Sequence, residues 1–148
     1  MIVLSNSTPF AEGGNRKCYV HPNNPDRCLK VVHPGLLEKI IKNKPWYKKL
    51  RSKNSFDDNL REQKAYNQKA LTTNNPKIWN HLAKWYGMIE TDIGMASETE
   101  LIKNDNQIAE TLENYLFTHG LTEEIKKSIE EFQMWLRENL ILTKNIIP

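Results

Sequence analysis

The chain has 148 residues, of which 39% are hydrophobic and 26% are charged, and its formal net charge is +3. This composition is typical of one globular domain and excludes a disordered or collagen-like chain. The apolar runs at 2–4 and 140–142 are far shorter than the roughly 18 residues of a membrane span, and the N-terminus has no secretory signal pattern, so we expect a cytoplasmic protein that does not contact the membrane.

The first part of the chain has three segments of strand-forming composition, at 2–5, 16–21 and 27–32. Turn-forming residues fill 22–26 and predict a hairpin with a five-residue loop. Symmetric pairing about the middle of this loop places Cys18 opposite Lys30. Val20 then lies opposite Cys28, and all four side chains share one face, because side chains alternate along a strand.

A helix is predicted over 56–71, because Ser55 is a suitable N-cap and two aspartates follow it in the first turn. The stretches 82–91 and 95–102 are predicted to form a second hairpin, which turns at 92–94.

Two helices are predicted to follow this hairpin. The first runs from Asp105 to a left-handed stop at Gly120. The second is capped by Thr122 and carries an apolar stripe at helical spacing, formed by Leu121, Ile125, Ile129, Phe132 and Leu136. Antiparallel strands with helices outside them indicate an α+β fold.

The segment 38–53 contains seven basic residues and one acidic residue, with Trp46 and Tyr47 among them. Two interpretations are open. The segment is either a solvated lysine-rich insertion or a surface for nucleic acid or an acidic partner. No recognised nucleic-acid motif accompanies it, which favours the insertion.

The order of candidate chemical groups is that of the small lobe of a protein kinase: a glycine pair after the first strand, a strand lysine and a helix glutamate. Here these groups are Gly13, Gly14, Lys30 and Glu62. In that plan the loop amides cover phosphates, the lysine holds phosphate oxygens, and the glutamate keeps the lysine extended. Two alternatives stay open. The pair could stabilise the contact between sheet and helix without a ligand, or Gln63 could take the place of Glu62 if the helix phase is shifted by one.

Several stretches also resemble the bacterial YrbL family, the PhoP regulatory network proteins. The most specific is the Arg-Lys-Cys-Tyr-x-His-Pro run at 16–22, and matching stretches extend over essentially the whole chain. That family is regarded as having a protein-kinase-like fold. The resemblance therefore implies a small lobe over 1–102, with a five-stranded antiparallel sheet, one αC-type helix and a basic insertion at about 34–54. The first helices of an incomplete large lobe would follow over 103–148.

The resemblance also implies a nucleotide cleft that takes ATP with magnesium. Its candidate residues are Gly13, Gly14, Cys18, Cys28, Lys30, Glu62, Thr99, Glu100 and Leu101, with the last three as the gatekeeper and the start of the adenine hinge. Cys18 and Cys28 would be small apolar lining groups rather than redox partners. The two cysteines and four histidines have no zinc-ligand spacing, so no metal held by the protein is predicted.

The end of the chain departs from an active kinase. Asn145 stands where the catalytic aspartate would be, and an amide cannot accept a proton from a substrate hydroxyl. Ile147 replaces the usual lysine, and the sequence ends at Pro148, before the motifs that bind magnesium.

We therefore expect no catalytic residue and a regulatory protein that acts by binding. Two other functions are considered: an interaction or nucleic-acid-binding module that uses 38–53, and a fragment of an active kinase-like phosphotransferase. A protein partner could also bind the apolar face of the helix at 122–138.

Overall fold

The computed structural model of the protein describes residues 1–43, 45, 56–73 and 75–143. Most of the basic segment predicted at 38–53 lies outside these residues, as do Ser55, Asn145, Ile147 and Pro148. Within the described part, the chain has an α+β fold, as predicted.

Seven strands and four α-helices are formed by the described residues. The strands are β1 Ala11–Glu12, β2 Arg16–His21, β3 Asn24–Val32, β4 Trp85–Thr91, β5 Gly94–Glu100, β6 Lys103–Asn104 and β7 Gln107–Ile108. The helices are α1 Leu36–Lys42, α2 Asp58–Tyr66, α3 Leu112–His119 and α4 Glu123–Glu138, with 3-10 turns at Lys69–Leu71 and Pro76–Trp79. The first five strands form one antiparallel sheet in the order β1-β2-β3-β5-β4.

The register of the β2–β3 hairpin is the predicted one, since Cys18 lies opposite Lys30 and Val20 opposite Cys28. The connection is tighter than the predicted five-residue loop, because pairing continues to His21 and Asn24 through an irregularity after Val20.

The predicted strand at 2–5 is not formed. Ile2 makes one isolated parallel bridge with Thr91, and the carboxylate of Asp92 accepts hydrogen bonds from the amides of Leu4 (2.6 Å) and Ser5 (3.2 Å). Leu4 of this segment serves the core rather than a ladder, whereas Val3 is exposed. Leu4 is fully buried in a cluster with Tyr19, Leu29, Val31 and Ala96.

Helix α2 is shorter than predicted. Its N-cap is Asp57, whose carboxylate accepts hydrogen bonds from the amides of Asn59 and Leu60. The helix ends at Tyr66, because Gln68 has an extended backbone, and Lys69–Leu71 forms a separate turn. The second hairpin has the predicted turn, although β4 begins at Trp85 and β5 ends at Glu100.

The helix predicted to begin at Asp105 is wrong at its start. Asp105 and Asn106 have positive φ angles of 48° and 67°, and they form the turn between β6 and β7. Short polar residues tolerate this left-handed geometry, which hairpin turns require. The helix begins only after its cap at Thr111, and it ends as predicted at Gly120, where φ is 73°.

The described chain divides into two compact units. The first comprises 1–67 and 83–101, and the second comprises 68–82 and 102–148. In the second unit, α4 has the predicted cap at Thr122. Leu136 of its stripe is 2% exposed, whereas Leu121 before the helix is 56% exposed. Among the described residues, none of the helices has the length and apolar character needed to cross a bilayer.

Candidate functional site

The centre of the candidate site is an ion pair between β3 and α2. The Lys30 Nζ lies 2.7 Å from Oε1 of Glu62, and the two side chains are 21% and 16% exposed. Lys30 projects from the sheet face opposite to that of Leu29 and Val31, because side chains alternate along β3. The structure therefore brings the predicted strand lysine and helix glutamate together.

Asn59 places α2 against the sheet. Its side chain is 1% exposed, and its amide group donates hydrogen bonds to the carbonyl oxygens of Lys30 (2.8 Å) and Met95 (3.2 Å). Residues three apart share a helix face, so this contact directs Glu62 toward β3. Sequence reasoning missed Asn59.

The orientation of α2 about its axis turns Glu62, and not Gln63, toward Lys30. Arg61 next to it binds the carboxylate of Asp58 at 2.8 Å on the exposed side of the helix. The alternative in which Gln63 faces Lys30 is wrong.

A second cation binds the same carboxylate. The Nη1 atom of Arg16 lies 2.7 Å from Oε2 of Glu62, and it also donates to Oδ1 of Asn59 at 3.3 Å. From the sequence, Arg16 was named only as the first residue of the Arg-Lys-Cys-Tyr-x-His-Pro run and was given no place in the site. The two-residue strand period could have found it, because Cys18 lies opposite Lys30 and Arg16 shares the face of Cys18.

The two cations keep Glu62 ionised. Burial works to raise the pKa of this carboxyl, but the charges and hydrogen bonds of Lys30 and Arg16 outweigh burial, and a hydrogen bond from Ser97 adds to them. The net result is a pKa below the ordinary value. Two positive groups thus share one negative group, and the cluster has an excess of positive charge.

The predicted glycine pair lies at the tip of the β1–β2 hairpin. The amide of Gly13 donates to the carbonyl oxygen of Arg16 (2.9 Å), and the Gly13 carbonyl oxygen lies 2.9 Å from Nε2 of His33. Asn15 donates from its side chain to Asp58 at 2.7 Å, which ties the tip to the start of α2. A Cβ on Gly14 would meet no described atom within 4 Å. Space therefore remains beside the backbone at this position.

The two cysteines occupy different environments. Cys28 is 4% exposed, whereas Cys18 is half-buried, and neither forms a disulfide. A hydrogen bond from the Cys28 thiol lowers the pKa of Cys18; burial opposes this shift, and the charges of Lys30 and Arg16 support it. The pKa of Cys28 is raised by that hydrogen bond and by burial.

The three residues predicted to meet an adenine lie at the end of β5 and just after it. Thr99 is buried opposite Cys28. The amide of Glu100 donates to the carbonyl oxygen of Lys84 (2.8 Å), and the amide of Leu101 donates to that of Asp26 (2.9 Å). These two amides are therefore already used within the first unit.

The described residues do not fit a metal centre. Across 1–43, 45, 56–73 and 75–143, no group of three or more His, Cys, Asp or Glu side chains is arranged to hold a metal ion. The described site is instead a cationic cluster suited to an anion.

Comparisons with known proteins give a consistent family match. The family model described as PhoP regulatory network protein YrbL matches residues 2–148. The chain is similar to the uncharacterized protein YrbL of Escherichia coli (strain K12) and to that of Shigella flexneri, with 26% identity over 152 residues in each case. These alignments cover 100% of this chain and 63% of each relative, so the chain spans less than two thirds of their length. No solved structure matches the chain.

Proposed function

The chain belongs to the PhoP regulatory network protein YrbL family, and from this premise we propose that it is a kinase-like regulatory protein that binds a nucleoside polyphosphate and acts by binding. The phosphate-binding part of this proposed cleft lies in the first unit, around Lys30. Phosphoryl transfer is not part of the proposed activity of this chain.

One observation carries the proposal. Lys30 Nζ and Glu62 Oε1 are 2.7 Å apart, between the third strand of an antiparallel sheet and α2, a helix that lies between the third and fourth strands in the chain. In protein kinases, a lysine on this strand and a glutamate on this helix form the ion pair that prepares the lysine for phosphate oxygens. The β1–β2 hairpin with its two glycines precedes the lysine in the same order.

The residues present fit the anionic part of a nucleotide. Lys30 would hold phosphate oxygens, Glu62 orients Lys30, and half-buried Cys18 lies opposite Lys30 on the neighbouring strand. A bound nucleotide would supply polyphosphate charge and a base. Asn145 at the position of a catalytic aspartate supports binding without transfer, because an amide does not accept the proton of a substrate hydroxyl.

The test is a titration of ADP and of ATP, each with and without magnesium, followed by thermal unfolding and calorimetry. A ligand that binds only the folded chain adds about 2.7 kcal/mol of stability at one hundred times its dissociation constant. We expect the wild type to be stabilised and Lys30→Met to lose this response. The variant should fold, because Glu62 keeps its contact with Arg16.

Lys17→Met is the matched control. Lys17 lies on β2 next to Cys18, projects from the other face, and pairs at 3.5 Å with Glu12, which is 52% exposed. Its nucleotide response should equal that of the wild type. The proposal fails if neither nucleotide stabilises the wild type, or if Lys30→Met responds as the wild type does.

A further inference from the structure

The Glu62 carboxylate is held by two cations from different strands. Arg16 on β2 binds Oε2 and Lys30 on β3 binds Oε1, both at 2.7 Å. The Arg16 and Lys30 side chains keep 28% and 21% of their surface exposed, so a solute can reach both. One carboxylate cannot neutralise two cations, and the excess positive charge lies at the site proposed for phosphates.

Resting on the proposed function, we infer that Arg16 is a second phosphate-binding residue of this site. With Lys30 it would place two positive charges against a nucleoside polyphosphate directly, so that this chain binds the ligand without a divalent cation. The described residues contain no cluster of acidic or histidine side chains that would hold such a cation, and an arginine supplies the compensating positive charge from within the chain.

The geometry leaves donors for the anion. Within the part of the chain that the structure describes, the Arg16 guanidinium donates from Nη1, to Glu62 and to Asn59. A guanidinium has five N–H donors, and those on Nε and Nη2 are not used by any described residue. Their planar arrangement matches two oxygens of a phosphate, which a lysine ammonium alone does not. Asn59 also fixes the guanidinium, so little side-chain freedom would be lost on binding.

The direct test measures binding of ADP and of inorganic tripolyphosphate by calorimetry in EDTA. Arg16→Gln should bind both ligands about 10- to 100-fold more weakly than the wild type, the factor expected for one hydrogen bond between charged groups. Tripolyphosphate has no base, so an equal loss for both ligands would locate the effect at the phosphates. Binding should also weaken with added salt.

Arg27→Gln is the matched control. Arg27 makes a similar contact, with Nη1 2.8 Å from Oε1 of Glu98, and is 34% exposed. It lies three residues from Lys30 on β3 and therefore projects from the opposite face. We expect its affinities for ADP and tripolyphosphate to stay within about twofold of the wild type.

Two further variants separate ligand binding from a structural role of Arg16. Arg16→Lys keeps the positive charge and should retain part of the affinity for tripolyphosphate. The affinity that it loses should be the part that depends on two parallel N–H donors, which arginine has and lysine lacks. Glu62→Gln removes the charge that orients Lys30 and should weaken binding of ADP in EDTA. Adding Arg16→Gln to this variant should weaken binding further, whereas an Arg16 that only holds Glu62 in place would give no further loss.

The outcomes distinguish this inference from the function on which it rests. If the wild type binds ADP only with magnesium and Lys30→Met loses this binding, the proposed function stands and the role of Arg16 is overturned. The role of Arg16 is also overturned if Arg16→Gln binds ADP in EDTA as tightly as Arg27→Gln does. Wild type that binds no nucleotide under either condition would overturn both.

Discussion

The side-chain amide of Asn59 donates a 2.8 Å hydrogen bond to the backbone carbonyl oxygen of Lys30. Helix α2, which carries Glu62, is thus hydrogen-bonded to the backbone of Lys30, whose side chain binds Glu62. Because this hydrogen bond is made to the backbone, it persists when the Lys30 side chain is changed. The position of α2 and the charge of the site can therefore be tested separately.

Asn59→Ala should destabilise the first unit. The substitution removes a 1% exposed side chain and leaves the carbonyl oxygens of Lys30 and Met95 without this donor. Loss of partners for buried polar groups predicts a decrease of about 3 kcal/mol in the free energy of unfolding, measured by urea denaturation.

The matched control for this prediction is Asn114→Ala. Asn114 is an exposed asparagine within α3, and surface substitutions change stability by about 0.5 kcal/mol or less. Equal effects of the two substitutions would contradict the role assigned to Asn59.

The ionisation of Glu62 should make stability depend on acid. Its pKa in the folded chain lies below the ordinary value, because Lys30 and Arg16 outweigh the effect of burial. Ionised Glu62 therefore stabilises the fold above its unfolded pKa of about 4.3, and this stabilisation is lost as pH falls toward the lower folded pKa. In Glu62→Gln, the free energy of unfolding should fall less between pH 5 and pH 3 than in the wild type.

Urea denaturation at successive pH values measures this difference. Glu131→Gln is the control, because Glu131 is 54% exposed and lies 3.9 Å from Lys127 on the surface of α4. Its curve should run parallel to that of the wild type. Parallel curves for Glu62→Gln and the wild type would show that the ionic cluster adds nothing to stability.

The candidate site could be predicted from the sequence only in part. The Lys30 and Glu62 positions follow from the order of strands and helices along the chain. The helical period then decides which residue of α2 faces the sheet. Arg16 was missed, because the family run at 16–22 records which residues occur in it and not where each side chain points. Asn59 was missed because a polar residue on a helix carries no signal of burial until its backbone partners on two other elements are known.

In the fold too, features set by neighbouring residues were predicted and features set by distant contacts were not. The local sequence pattern predicted the pairing of Cys18 with Lys30, because two strands that pair symmetrically about a central turn have a fixed register. It failed at 2–5, where Leu4 is buried by contact with distant strands rather than paired in a ladder. It also failed at Asp105, where helix-compatible residues instead form a left-handed turn.

The turn at Asp105 and Asn106 gives a conformational prediction. Asn106 has a φ of 67°, a region in which a Cβ costs about 1 kcal/mol or more, although asparagine tolerates it better than most residues. Asn106→Ala should therefore lower the free energy of unfolding by about 1 kcal/mol, whereas Asn106→Gly should change it by less than about 0.5 kcal/mol. Thermal unfolding of the two variants checks this, and equal destabilisation by both would contradict the turn geometry.

The half-buried thiol of Cys18 should ionise at a lower pH than an ordinary thiol. The hydrogen bond from Cys28, supported by the charges of Lys30 and Arg16, lowers the pKa of Cys18. Thiolates and not thiols react with iodoacetamide, so the alkylation rate of Cys18 should rise with pH to a midpoint below the ordinary thiol value of about 8.5. Mass spectrometry of the modified peptides should show Cys28 unmodified, because its thiol is 4% exposed and its pKa is raised.

Two variants identify the cause of this reactivity. Cys28→Ala removes the donor and Lys30→Met removes a positive charge, so each should move the alkylation midpoint of Cys18 to higher pH. Lys17→Met, which changes the opposite face of β2, should leave the midpoint where it is in the wild type. A wild-type midpoint at the ordinary thiol value of about 8.5 would show that Cys18 receives neither the hydrogen bond nor the cationic field. In that case Arg16 and Lys30 would act on ligands only by direct contact.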